Sequence, residues 1–208
     1  MWLVFDQLWG APAGVAMKKT FVSTLRSLAQ FAREPTSVDP RAAIERSYSL
    51  RETINGGFDK VRALADGVIF EFGPTRQQDL ALREHIRRWQ PQLRLIFVVR
   101  IALLKYRLRL PGFELPEGVR LVQQEFDNQL AMTLERMAAR MEGKVSEMPG
   151  NLKDSLQRLE QAALAISPEL PKEAPAASLQ TFLTLSRRIE GLTSALDKEI
   201  KAPLVSLR

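Results

Sequence analysis

The chain of 208 residues predicts an all-α fold, an elongated antiparallel helical bundle with long hairpins. Three observations point there. Leu, Ala, Arg, Glu and Gln dominate a sequence that is 45% hydrophobic and only 7% aromatic, and that mixture favours helix. No segment alternates β-branched and polar residues as a half-buried strand requires. Apolar residues recur instead at spacings of three and four along nearly every stretch between Gly and Pro breaks.

Taken in order, residues 1–12 are greasy, with Trp2, Leu3, Val4, Phe5, Leu8 and Trp9 ahead of a Gly/Pro break and then Lys18 and Lys19. This composition suits the last turns of a membrane helix. Trp2, Phe5 and Trp9 would lie at the membrane interface, and Lys18, Lys19, Arg26 and Arg33 would follow on the cytoplasmic side. Nine residues are too few to cross a bilayer, so this reading places the spanning part upstream of residue 1. The alternative is that Trp2, Phe5 and Trp9 cover the end of the bundle.

A helical bundle is expected over residues 13–145. Met17, Phe21, Leu25, Leu28 and Ala32 form a stripe that Pro35 closes. Asp39 caps a second helix with Pro40 in its first turn. Ile54, Phe58, Val61, Ala65, Val68 and Phe72 then alternate by four and three up to Gly73-Pro74, the seam of a helical hairpin, and its apolar face is expected to offer a surface to a second copy. Gly56 and Gly57 permit a close approach or a bend. Thr75 and Gln78 have capping-box spacing for a third helix that runs into the 86–110 stretch and kinks at Pro91. Residues 110–113 (LPGF) read as a turn, and Pro116-Glu117 starts a helix with a stripe from Val119 to Met141 that ends near Gly143. Residues 146–208 form a C-terminal helical hairpin. Its first helix is capped by Asn151, a Pro-rich connection covers 167–178, and Leu179, Phe182, Ile189, Leu192, Leu196 and Ile200 face inward on the last helix.

The stretch 86–110 holds the densest apolar run and the charge excess. It carries Arg87, Arg88, Arg94, Arg100, Lys105, Arg107 and Arg109 with no acidic residue, so the formal charge of +6 resides there and the rest of the chain is close to neutral. As a helix it places Leu93, Ile96, Phe97, Ile101 and Leu104 on one side and Leu95, Val98, Val99, Leu103 and Tyr106 on another. Nearly encircled by apolar residues, it is expected to be the central helix of the bundle. The three cations Arg94, Arg100 and Lys105 interrupt it too often for a membrane span. Its cations have two readings: stems packed along helix seams with heads reaching water or acidic partners, or a basic strip facing phosphates of lipid or nucleic acid.

Composition also narrows the chemistry. The absence of Cys removes disulfides and thiolate ligands, and a single His85, set among Glu84, Arg87 and Arg88, cannot serve schemes that need two histidines. None of the short catalytic motifs for zinc proteases, hydrolases, dinucleotide binding or kinases occurs. No catalytic, cofactor-binding or metal residue is expected, and the carboxylate pairs Glu114/Glu117 and Glu125/Asp127 have surface spacing.

Together the segments RSYSLRETINGGFDKVRALADGVIFEFGPTRQQDLALR, RIALLKYRLRLPGFELPE and MWLVFDQLWGAP resemble the helical region that follows the last membrane helices of fusaric-acid-resistance (FUSC) inner-membrane proteins, over roughly residues 1 to 145. The resemblance is one of overall pattern. It implies the cytoplasmic side of a bacterial inner-membrane exporter of aromatic acids or drugs. The implied partners are the membrane, a homo-oligomer, a periplasmic adaptor and an outer-membrane channel. The competing class is a nucleic-acid-binding or scaffold protein that uses the strip 87–109, disfavoured by the apolar residues interleaved with the arginines and by the absence of a helix-turn-helix or zinc pattern.

Overall fold

The computed structural model describes residues 12–34, 40–108, 117–144, 151–166 and 174–202, of which 40–44, 105–108 and 174–178 are described by backbone alone. Those residues form six α-helices and one 3₁₀ turn, with no strand among them: α1 (Ala13–Arg33), α2 (Pro40–Gly67), the turn Val68–Phe70, α3 (Arg76–Leu108), α4 (Glu117–Met141), α5 (Leu152–Ile166) and α6 (Ala174–Lys201). The fold is an all-helical bundle around one continuous apolar core.

At the centre lies α1. Its predicted stripe is buried, and so are Val22, Thr24, Ala29 and Phe31, because α2 and α4 cover it from two sides and α3 touches it from a third. Paired residues fix the directions. Ala13 meets Gly67, Thr24 meets Gly57, and Arg46 bonds Glu34 at 3.0 Å, so α1 and α2 run in opposite senses. Arg26 with Glu142 at 2.8 Å, and Arg33 with Glu135, give the same opposition between α1 and α4. Against α3 the sense is parallel: Phe21 approaches Trp89 at 6.2 Å between ring centroids, and Phe31 approaches Phe97 at 5.8 Å.

Two glycines act as the sequence suggests. A Cβ at Gly57 would collide with the Thr24 side chain, so the bare backbone lets α1 and α2 close together, whereas Gly56 faces open space. Gly143 ends α4 with φ of 77°: its N–H donates to the Arg140 carbonyl at 2.9 Å, and the Lys144 N–H donates to Ala139 at 2.9 Å, the paired bonds of a Schellman cap. Asn151 caps α5 by accepting the Lys153 N–H at 3.0 Å. The cap expected at Asp39, the turn at 110–113 and Pro116 lie outside the described residues.

Several expectations need correction. The stretch 86–110 is not the centre of the bundle. Pro91 lies exposed within one continuous helix, and Leu95 and Val98 face solvent because α3 packs on α1, α2 and α6 but leaves one flank open. The helix begun at Pro40 stops at Gly67, and Phe72 is 91% exposed rather than part of the seam. The remainder of that seam, from Ile54 to Val68, is buried and packs against α1, so it is not available to a second copy. Helix α6 begins at Ala174, inside the expected connection, with Pro175 tolerated in its first turn. The last two helices dock on the bundle. Asp197 of α6 takes Arg136 and Arg140 of α4 at 3.2 and 2.6 Å, and Arg158 of α5 reaches Glu125 at 2.6 Å.

Arg100 lies inside this core, 2% exposed. Its guanidinium donates to both Asp127 oxygens at 2.6 and 3.0 Å and to the Ala32 carbonyl at 2.6 Å, joining α3, α4 and the last turn of α1. Replacing Asp127 alone by Ala leaves that cation buried without its counter-charge and is expected to cost about 3–5 kcal/mol. The pair Arg100→Met with Asp127→Leu is expected to cost clearly less. Urea unfolding of the three proteins checks this, the single variant showing the larger drop in midpoint.

Candidate functional site

The structure offers two places to look: the end of the bundle where the chain enters, and the basic residues of α3. The first is built around the start of α1. A helix begins with backbone N–H groups that lack partners, and Pro12, in the N-cap position, makes no side-chain bond to them. Glu71 supplies the acceptor from across the bundle: the Ala13 N–H donates to one of its carboxylate oxygens, and the Gly14 N–H donates to the other at 3.3 Å. Asp79 of α3 also packs against Gly14, where any Cβ would strike it. Negative charge at this position suits the positive end of the helix dipole.

The neighbours of Glu71 face away from this contact. Glu71 has extended backbone, φ −77° and ψ 143°. Glu71 reaches inward to the start of α1, whereas Phe70, the last residue of the 3₁₀ turn, and Phe72 lie outward, 77% and 91% exposed. Gly73, with φ of 148°, makes the turn into α3 possible. Arg76, the first residue of α3, stands over the Phe72 ring with 5.8 Å from its guanidinium carbon to the ring centroid. Ile69 and Val15 complete an exposed apolar set, and Lys18 and Lys19 are exposed on the second turn of α1.

Of the residues singled out from sequence, Lys18 and Lys19 therefore lie on the helix that starts at this end, while Trp2, Phe5 and Trp9 lie outside the described residues. Sequence reasoning missed Ile69 and Phe70 and assigned Phe72 to the interior. The available signal was the short alternation Phe70-Glu71-Phe72 ahead of Gly73-Pro74, which breaks helical spacing.

The basic residues of α3 do not share one face. Arg87 and Arg88 are exposed, Arg87 at 3.8 Å from Glu84 and Arg88 at 3.0 Å from the His85 ring. Arg94 stands over Phe58, 5.2 Å from the ring centroid, and reaches Asp59 at 3.5 Å. Arg100 is withdrawn into the core by Asp127 and does not belong to an exposed strip. The side chains of Lys105 and Arg107, and the whole of Arg109, lie outside what is described. Arg94 and Arg100 thus follow the pattern of packed stems and heads that meet acidic neighbours. Arg83, not anticipated, donates to the Ala65 carbonyl at 2.7 Å and so satisfies the end of α2.

His85 stacks against Trp89 at 5.3 Å between ring centroids. Partial burial, and then the neighbouring Arg88 charge, hold its pKa below the usual 6.5, against the opposing pull of Glu199. Among the described residues no group of three or more His, Asp or Glu could hold a metal ion, and no helix is long and apolar enough to cross a membrane. Comparison with protein-family models, characterised proteins and solved structures gives no significant match.

Two outcomes follow. Glu71→Ala removes the carboxylate that accepts the Ala13 and Gly14 N–H groups of α1 and is expected to destabilise the fold by about 0.5–2 kcal/mol, measured by thermal unfolding. The lowered pKa of His85 means that the unfolded chain binds more protons near pH 6. Stability is therefore expected to fall as pH drops through 6.5 toward the lower folded value and to level off below it, and His85→Gln flattens that part of the curve.

Proposed function

We propose that this chain is the cytoplasmic helical region of a FUSC-like inner-membrane exporter of aromatic acids or drugs, with a role in assembly, dimerisation or gating and no chemistry of its own. One observation carries the reading most directly. The apolar sequence of residues 1–9 joins the bundle through Pro12, at the same end that presents Phe70, Phe72 and Ile69 to solvent. In this reading that end points toward the bilayer, the cations of α1 follow on the cytoplasmic side, and the rest of the bundle hangs below it. The resemblance in sequence pattern over residues 1 to 145 supports the same assignment, as does the absence of a recognisable catalytic motif.

The substrate path would belong to membrane helices encoded with this region, and the bundle would couple them to a second copy or to the periplasmic adaptor and outer-membrane channel of a tripartite system. Withdrawal of Arg100 into the core counts against the nucleic-acid alternative, since it removes a cation from the middle of the strip that would track phosphates.

Deleting the gene is expected to raise cellular accumulation of fusaric acid and related aromatic acids and to lower the concentration that stops growth. The intact gene restores export, whereas a version lacking the codons for α1 to α4 does not. Equal accumulation in the deleted and intact strains would overturn the reading.

A further inference from the structure

We infer that the turn between α2 and α3 is itself a lipid-contacting element: Ile69, Phe70 and Phe72, together with Val15 and the cations Lys18, Lys19 and Arg76, form a surface that inserts aromatic rings at the headgroup level of an anionic bilayer. The inference rests on the exporter reading and adds a second membrane contact, one that the apolar opening of the chain does not supply.

Two phenylalanines with nearly bare rings beside an exposed isoleucine are costly to leave in water, and they flank Glu71, which is held inward at the start of α1. The occupant follows from what surrounds them. The described chain enters the bundle at this same end, through Pro12, and in sequence Pro12 follows Trp2, Leu3, Val4, Phe5, Leu8 and Trp9. The charges are sorted in the direction a membrane requires: Glu71 and Asp79 turn toward the start of α1, Lys18, Lys19 and Arg76 are exposed, and Asp66 is the acidic residue left outward near the turn. Aromatic rings mixed with cations match the boundary between acyl chains and anionic headgroups better than a dry protein interface, whose centre is depleted of charge. Leu95 and Val98, exposed on the flank of α3 beside Arg94, are aliphatic and contribute no bare aromatic ring, so they serve as an internal control.

The test is flotation of the full 208-residue chain with phosphatidylcholine vesicles, with and without phosphatidylglycerol. Binding to the anionic vesicles is expected, weakening with salt. Phe70→Ser with Phe72→Ser should lower partitioning roughly tenfold to a hundredfold with unchanged helical content, because both rings are exposed in the folded protein. Lys18→Gln with Lys19→Gln should weaken binding and flatten its salt dependence, and Leu95→Ser with Val98→Ser should leave it unaltered. Absence of binding by the unaltered chain overturns the inference. So does full binding by the double Phe variant when Trp2→Ser, Phe5→Ser and Trp9→Ser together abolish it, a result that leaves the exporter reading standing. Failure of export in cells with the vesicle results as expected sinks the exporter reading and leaves the lipid surface in place.

Discussion

Everything in this bundle is arranged about the two charged groups that close the ends of α1. Glu71 accepts the first N–H groups of the helix, and Arg100 donates to the Ala32 carbonyl in its last turn. Neither residue belongs to α1. A helix end carries roughly half an elementary charge, and a complementary side chain there contributes about 0.3–1 kcal/mol, up to about 2 when partly buried. The larger consequence is geometric. Because the bonds come from the turn after α2 and from α3, they set the height of α1 against both neighbours, and Arg83 at the Ala65 carbonyl does the same for the end of α2.

With its ends closed from outside, α1 can be buried over most of its circumference. Phe21 and Phe31 project toward α3, where Trp89 and Phe97 receive them, and Phe97 in turn meets Phe58 of α2 at 6.1 Å. Thr24 faces Gly57, the point at which α2 can come closest. The opposite side of α1 is covered by α4, which then carries α5 and α6 on its remaining face. One apolar core thus extends from Met17 to Leu196, with the ion pairs of Asp197 at its rim.

The N-terminal clamp links stability to the surface proposed to meet lipid. Glu71, held inward at the start of α1, lies between Phe70 and Phe72, whose rings are exposed. The acids that hold α1 and the two bare rings thus share one turn, with Glu71 and Asp79 drawn toward the helix N-terminus as its dipole favours. The buried Arg100 is the counterpart at the other end: a cation that would look like part of a phosphate-binding strip is consumed in holding three helices together.

By itself the sequence determined the helices, most of their inward stripes and the caps at Asn151 and Gly143, because spacing of three and four and the turn chemistry of Asn and Gly are properties of a few neighbouring residues. Those same local signals could not tell which helix would be enclosed. The 86–110 stretch holds the densest apolar run, yet centrality depends on how many helices pack around each one, and Leu95 and Val98 were left on an open flank. Nor could local spacing separate Phe72 from the seam that precedes it, since the helix stops at Gly67 and the next turn is tied, through Glu71, to residues 57 and 58 positions earlier in the chain. Tertiary structure alone chose the partners of the charged groups, because an arginine reads the same in sequence whether its acid lies across a core or water surrounds it.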